Sequence, residues 1–503
     1  TTEVTIELED AKNDIFKLFT QEEINNDEID KKNEAVAEEF IQSNRESIFD
    51  YLVDKDDLIN IIKKLACNKA AGVSKTTNEM FKYGISEKLI DILKFIFEII
   101  KNYNIKPKDF NVGLVNLLIK DNKKDTSDIN KLRPLTISDT LAIIFEKIIL
   151  SDISKDYSTS KNQYGFRSKS SCGHAVFVLK ELILFNKRKN KKTYACAIDD
   201  SKAFDKVNRT NLWGEMVNNM KPCIMRALFY FYKNSKIIVF VNGQFSNSMK
   251  ITRGVKQGGP LSPFLFSIYI DELSGRLDKD EAGIIVGNMK INNILYADDL
   301  ILICNNVFEM NRMLEITENY GKEYEIKFNP NKTNYIIFFD KQLSNQKELI
   351  IDIQPVFRGE VVKRVEAIKY LGVWQDEQIN FKIQLKKRKR LFTYSYQQMK
   401  KCGIMFDLIS TEIKLCYYKT YIRPCLYYGL DNLNINETQI KSLQILESTL
   451  IKGMFLITKI RRSTPLLRAC NINTVKENKN RTKVLFRRLK LNEVLKIEII
   501  MKS

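Results

Sequence analysis

The sequence predicts an α+β chain in which short apolar strands carry acidic residues at their ends and a long C-terminal stretch is helical. Three observations lead there. Ile294-Leu295-Tyr296-Ala297-Asp298-Asp299-Leu300-Ile301-Leu302-Ile303 sets two acids between two apolar runs of strand length, so a hairpin with the acids at its turn is expected. Thr193 to Ile198 reads as another strand, and it delivers Asp199 at its end, ahead of Asp200-Ser201-Lys202-Ala203-Phe204-Asp205. Beyond residue 380, the stretches Ile413 to Tyr418 and Leu443 to Leu446 have apolar residues at helical spacing.

Two like charges pressed against a core are costly unless a cation neutralises them. All-oxygen ligands favour Mg²⁺ over zinc, with Mn²⁺ as a substitute. On this motif alone, a solvated Asp-Asp turn remains an equal alternative. If the strand ending in Asp199 neighbours the hairpin, the acids converge, and two divalent ions could activate a 3′-hydroxyl and stabilise a departing pyrophosphate. The single histidine, His174, argues against His-dependent triads and His-rich metal sites; it reads as a helix-start or packing residue. Between the acid clusters lies Arg253-Gly254-Val255-Lys256-Gln257-Gly258-Gly259-Pro260-Leu261-Ser262-Pro263. Its glycines let backbone approach something flat, such as a base pair. Ser262 is expected to cap, and Pro263 to open, a helix over Phe264 to Leu273.

In chain order the three segments, Thr193 to Asp205, Arg253 to Pro263 and Ile294 to Ile303, resemble motifs A, B and C of the non-LTR (LINE-type) retrotransposon reverse transcriptases. Further stretches join the resemblance in family order: Lys69-Ala70-Ala71-Gly72, Leu118-Ile119-Lys120, Leu132-Arg133-Pro134-Leu135, Gln163-Tyr164-Gly165-Phe166-Arg167, Asn329-Pro330-Asn331-Lys332-Thr333 and Tyr370-Leu371-Gly372-Val373. The resemblance implies a right-hand polymerase, with fingers, a palm built on an antiparallel sheet, and a helical thumb. It implies Asp199, Asp298 and Asp299 as catalytic and metal-binding carboxylates, with the main chain of Asp200 a further metal ligand. Lys120 and Arg133 match residues that grip the triphosphate, a point charge and a forked guanidinium. Phe204 matches the aromatic beneath the incoming sugar, Gln257 a residue near the nascent base pair, and Lys332 a lysine near the leaving pyrophosphate. Arg167 matches a residue supporting template or fingers. The sequence departs from the family at Ala71, where Pro is usual, at Ser74, often Asp, at Asp200, usually apolar, and at Gly259, frequently Cys. Group II intron-type reverse transcriptase/maturase activity and a catalytically silent RNA-binding descendant are the alternatives. Lys256 ahead of Gln257 weighs against the first, and the intact acids against the second.

Charge is consistent with a nucleic-acid partner. Residues 1–60 hold 18 acids and 6 basic residues, a net of −12, so the rest of the +19 chain carries +31. The densest basic run, Lys386-Lys387-Arg388-Lys389-Arg390, falls where a thumb would track a duplex. The tyrosines at 417, 418, 421, 427 and 428 read as core residues before stacking platforms. Nine cysteines without a Cys-x-x-Cys pair, and no secretory signal or long apolar span, lead to reduced thiols and an intracellular protein without a membrane partner. The resemblance implies cytoplasmic synthesis, nuclear action, and RNA template, DNA primer or nicked target DNA, and dNTPs as partners. Nothing resembles an endonuclease, so a domain or protein outside the chain is expected to cut the target. The first residue, Thr, fits a fragment or processed product. The expected layout is an acidic extension over 1–60, fingers over 61–190, palm over 191–380, and helical thumb and C-terminal region over 381–503.

Overall fold

Two five-stranded sheets organise the chain. The computed structural model describes residues 6–20, 28–103, 105, 107–119, 131–199, 204–339, 354–405, 408–458 and 460–480. In chain order, the first part contains α1 (Leu8–Phe19), α2 (Glu28–Ser43), α3 (Lys55–Lys63), α4 (Asn78–Tyr83), α5 (Glu87–Asn102), β1 (Val112–Ile119), β2 (Leu132–Ser138), α6 (Thr140–Asp156) and α7 (Cys172–Arg188). Then come β3 (Thr193–Ile198), α8 (Arg209–Val217), α9 (Pro222–Lys233), β4 (Lys236–Val241), β5 (Gln244–Phe245), β6 (Met249–Lys250) and α10 (Ser262–Lys279). Next are β7 (Ile284–Val286), β8 (Met289–Ile291), β9 (Asn293–Tyr296), β10 (Asp299–Cys304), α11 (Val307–Glu323) and β11 (Asn334–Phe338). Short strands β12 (Val356–Phe357), β13 (Glu360–Val361), β14 (Lys363–Arg364), β15 (Ala367–Tyr370) and β16 (Val373–Asp376) precede helices α12 (Lys382–Lys401), α13 (Thr411–Tyr417), α14 (Arg423–Tyr427), α15 (Glu437–Met454) and α16 (Ser463–Ala469). The mixture of helix and sheet agrees with the expected α+β class.

The chain packs as two compact units, one drawn from Thr1–Phe166, Asp200–Arg276 and Ile316–Phe328, the other from Arg167–Asp199, Leu277–Glu315 and Asn329–Ser503. In the first, strand order is β2-β1-β4-β5, with β6 also on β4. β1 and β2 are antiparallel, with Leu118 opposite Arg133, whereas β1 and β4 are parallel. The strands between Asn234 and Ile251, expected in the palm, thus extend the sheet of the expected fingers hairpin. The acidic N-terminal stretch, expected as an extension, supplies α1 to the same core. Ala11, Ile15 and Phe19 recur at i, i+4 and i+8 and pack on Val115, Leu117, Leu132, Ile237 and Val239. Glu9 and Asp10 of α1 are exposed, and in its first turn they suit the helix dipole.

The second unit carries the sheet β14-β11-β3-β10-β9. It is antiparallel except at its β11–β14 edge, a departure from a purely antiparallel palm sheet. In β10 every residue after Asp299 is buried, so Leu300 to Cys304 form the continuous apolar run of a central strand covered on both faces. Helix α10 starts at Ser262 and runs to Lys279, beyond the expected Phe264–Leu273 span. Ser262 is its first residue rather than a residue outside it. The buried Ser274 and Leu277 prolong the inward face and carry the helix on. His174 lies near the start of α7 and is buried.

Candidate active site

Strand β3 ends at Ile198, which pairs with Leu300 of β10, so the next positions, Asp199 and Asp299, stand side by side at the ends of two central strands. On its other side β10 pairs with β9, Asp299 opposite Tyr296, leaving a two-residue turn of Ala297 and Asp298. Ala297 holds φ at +57°, in a position where such turns usually place glycine. That strain costs about 1 kcal/mol or more, and it is met at the point where the acids are presented. The hairpin with acids at its turn, and its neighbour strand ending in an acid, are as the residues led us to expect.

Asp298 and Asp299 are exposed at this turn. Packed protein around the Asp299 carboxyl nevertheless removes enough water, with the negative charges of Asp298 and Asp199, to push it up to about 6, while Lys369 opposes the shift. Lys369 belongs to β15, whose hairpin with β16 turns through Leu371 and Gly372, both at positive φ. The Tyr370 hydroxyl donates to the Ile294 carbonyl at 3.3 Å, tying this hairpin to the acid-bearing one.

Lys332 reaches the same cluster. β11 pairs with β3, Asn334 opposite Ala197, so the turn before β11 lies beside Asp199. The Asn329 amide donates to the Asp199 carbonyl at 3.0 Å, and the Asn329 carbonyl accepts from the amides of Lys332 and Thr333. From this turn the Lys332 ammonium donates to the Asp199 carboxylate at 2.8 Å. Among the described residues, no three His, Cys, Asp or Glu side chains form a ready-made metal cage. The donor set still fits a hard divalent cation. Carboxylates in mutual repulsion are what such an ion relieves, and Mg²⁺ is commonly held by one or two carboxylates together with substrate phosphates. Asp200 and Lys120 lie outside the described residues.

The first unit holds the remaining expected substrate contacts. Arg133 projects from β2 and is exposed. Phe204 is half-buried, stacked on Phe266 with centroids 4.6 Å apart and edge-on to Phe166 at 6.2 Å. Its carbonyl accepts from the Val255 amide at 2.8 Å, and the Gly254 amide donates to Val207 at 2.9 Å, so the segment after motif A and the glycine loop interlock. The Gln257 carbonyl accepts from the Thr136 amide of β2 at 2.7 Å. Its side-chain amide donates to buried Asp205 at 2.8 Å. Asp205 was not singled out as a site residue; its position one residue after Phe204 was the available signal.

Of the expected nucleic-acid contacts, Arg167 is half-buried in the turn that follows Gln163, its carbonyl accepting from Ser170 at 3.2 Å. The basic run lies on α12, and only part of it faces solvent. Lys386, Lys387 and Arg390 are exposed. Lys387 rests over Trp374 at 5.1 Å. Arg388 instead donates to the Gly372 carbonyl and stacks on Tyr428 at 4.8 Å, and Lys389 donates to Ser442 at 2.6 Å. A run of five charges on a helix spans more than one face, so some must turn inward. The tyrosines divide likewise. Tyr418 and Tyr427 donate to buried Glu447, both at 2.7 Å, whereas Tyr417 and Tyr421 stack together in solvent. All nine cysteines are free. Among the described residues no helix is long and apolar enough to cross a membrane.

Comparison with known proteins agrees with this arrangement. The reverse transcriptase (RNA-dependent DNA polymerase) family profile matches residues 121–375. The chain is 21% identical over 414 residues to the RNA-directed DNA polymerase from mobile element jockey of Drosophila melanogaster, covering 80% of this chain and 43% of the relative. It is 24% identical over 441 residues to a probable RNA-directed DNA polymerase from transposon BS of the same fly, covering 85% of this chain and 47% of the relative. A Pol polyprotein from the type-1 retrotransposable element R2 of Nasonia vitripennis is 25% identical over 289 residues, 56% of this chain and 28% of that protein. The chain thus spans less than half the length of these relatives. Reverse transcriptases generally use divalent metal ions, and the family implies a right-hand polymerase fold, an RNA template and a DNA primer. The paired carboxylates and the family match lead to one conclusion: the chain belongs to the reverse transcriptases of non-LTR, LINE-type retrotransposons.

Proposed function

We propose that this chain is the RNA-directed DNA polymerase of a non-LTR retrotransposon, extending a DNA primer along an RNA template. The observation that carries the reading is the β3–β10 register, which sets Asp199 beside Asp299 with Lys332 bonded to Asp199. Asp199, Asp298 and Asp299, with the main chain of Asp200, are the residues that would hold two Mg²⁺ ions. Divalent charge held there would lower the pKa of a primer 3′-hydroxyl and offset charge on the transferring phosphoryl and departing pyrophosphate. Lys332 pairs with Asp199 and is a cation available to the departing pyrophosphate. Lys120 and Arg133 bind the triphosphate, the guanidinium as a fork. Phe204, braced by Phe266, excludes a 2′-hydroxyl, and Gln257 lies near the nascent base pair. Arg167 supports the template, and the outward residues of α12 contact the duplex. A domain or protein outside the chain supplies the nick, and the work is done in the nucleus.

Extension of a labelled primer annealed to RNA, with Mg²⁺ or Mn²⁺, tests the reading. Asp199→Asn and Asp298→Asn should lose synthesis while retaining primer–template binding. Near-parental synthesis by either folded variant would remove the site assignment.

A further inference from the structure

The glycine loop around Gln257 is held by two buried residues of opposite charge, one in the loop and one in α6. Glu146 of α6 and Lys256 of the loop are each only 1% exposed. The Lys256 ammonium donates to the side-chain oxygen of Asn111, which is itself buried and donates to the Phe231 carbonyl at 2.7 Å. It also passes beneath Gly113 of β1. On the other side of Gln257, Glu146 accepts from the Leu261 amide at 3.3 Å. A Cβ added at Gly259 would lie 2.7 Å from the Glu146 carboxylate, and one at Gly258, where φ is +124°, only 2.4 Å from the Thr136 carbonyl. Glycine at 259, where the family frequently has Cys, is therefore the residue that leaves room for Glu146.

Burial pushes the Glu146 carboxyl up, and Lys256 draws it back down. Burial likewise pushes Lys256 down to about 8, against the pull of Glu146. A buried pair of opposite charges is weak evidence for stability, and conformational specificity is the role to test.

We propose that Glu146 and Lys256 are positioning residues for Gln257: they hold residues 254–261 so that the glutamine keeps its bonds to Asp205 and Thr136. Gln257 is thereby aimed for substrate selection, a role that rests on the polymerase reading above. The loop itself is clamped whether or not the chain polymerises. Removing one charge leaves the other buried and alone, so single variants confound folding with positioning. The informative variant is the doubly neutral Glu146→Gln with Lys256→Met, which preserves shape and removes both charges.

Two measurements on the full chain decide the matter. Hydrogen exchange of amides 254–259, and of the Thr136 amide bonded to Gln257, should quicken about tenfold or more in the double variant, with the other β1–β2 amides unchanged, because a loop less firmly anchored opens more often. On primed RNA, KM for dNTP should rise about tenfold while kcat changes little, since a glutamine no longer held in place loses binding that is the same in the ground and transition states. Parental exchange at 254–259 would overturn the clamp even if the chain makes no DNA. Faster exchange with no synthesis by the parent would leave the clamp standing and remove the polymerase reading. Faster exchange with parental KM in an active enzyme would overturn the link to Gln257.

Discussion

Asp299→Asn should stabilise the metal-free protein and abolish synthesis. The Asp299 carboxyl is pushed up to about 6 by burial and by Asp298 and Asp199. An aspartate whose folded pKa exceeds its unfolded value holds its proton more tightly when folded, so stability falls as pH rises from about 4 to about 6 and stays lowered above that. At about 1.4 kcal/mol per unit the whole shift corresponds to roughly 3 kcal/mol at most. The side chain is exposed at one side, and solvent screening leaves about 1 kcal/mol. In a chain of this length that is a rise of about 1–2 °C in the unfolding midpoint. Thermal unfolding of parent and variant without divalent ions, at pH 7.5 and again at pH 4.5, reads the difference, which should shrink on acidification. Adding Mg²⁺ should then raise the parental midpoint more than that of the variant, because the ion binds the folded state. A variant no more stable than the parent at pH 7.5, or a difference that grows in acid, would refute the repulsion that the β3–β10 register implies.

Three other outcomes are expected. Phe204→Val should let ribonucleotides in while costing about 1–3 kcal/mol of packing against Phe266; the ratio of dNTP to rNTP incorporation efficiency checks it, and an unchanged ratio assigns Phe204 to the core. Neutralising Lys386, Lys387 and Arg390 together should lower the log–log salt slope of primer–template binding by about 2–3. Neutralising Lys389, already bonded to Ser442, should leave that slope nearly unchanged, and equal effects from both sets would place the duplex elsewhere. The purified chain should not nick supercoiled DNA, and nicking abolished by Asp199→Asn or any other substitution in the chain would show a nuclease within it.

Local pattern was enough to place the acid-bearing hairpin and the helix after the glycine loop. Two apolar runs flanking Tyr296 to Asp299 leave few alternatives to a turn there, because alternation and turn chemistry act over a few residues. The same local reasoning put Ser262 outside α10 and ended the helix too early. It had no access to the buried neighbours of Ser274 and Leu277 that continue the inward face. Lys332 and Asp199 are over a hundred positions apart, and the sequence suggested their roles only through resemblance; the β11–β3 pairing is what brings them to 2.8 Å.

The sequence by itself thus determined which residues could do chemistry: adjacent acids, a glycine-rich loop, a single histidine and a basic body restrict the options whatever the packing. Tertiary structure alone decided which charges are available. It turned Arg388 toward the Gly372 carbonyl, laid acidic α1 on the sheet of β1, β2 and β4, and enclosed Glu146 with Lys256 under the glycine loop. The physical reason is that side-chain charge is encoded residue by residue, whereas its solvation depends on which distant elements close over it. A lysine in solvent and a lysine in a core read alike in sequence, and only the groups packed around each one distinguish a contact for phosphate from a clamp on the backbone.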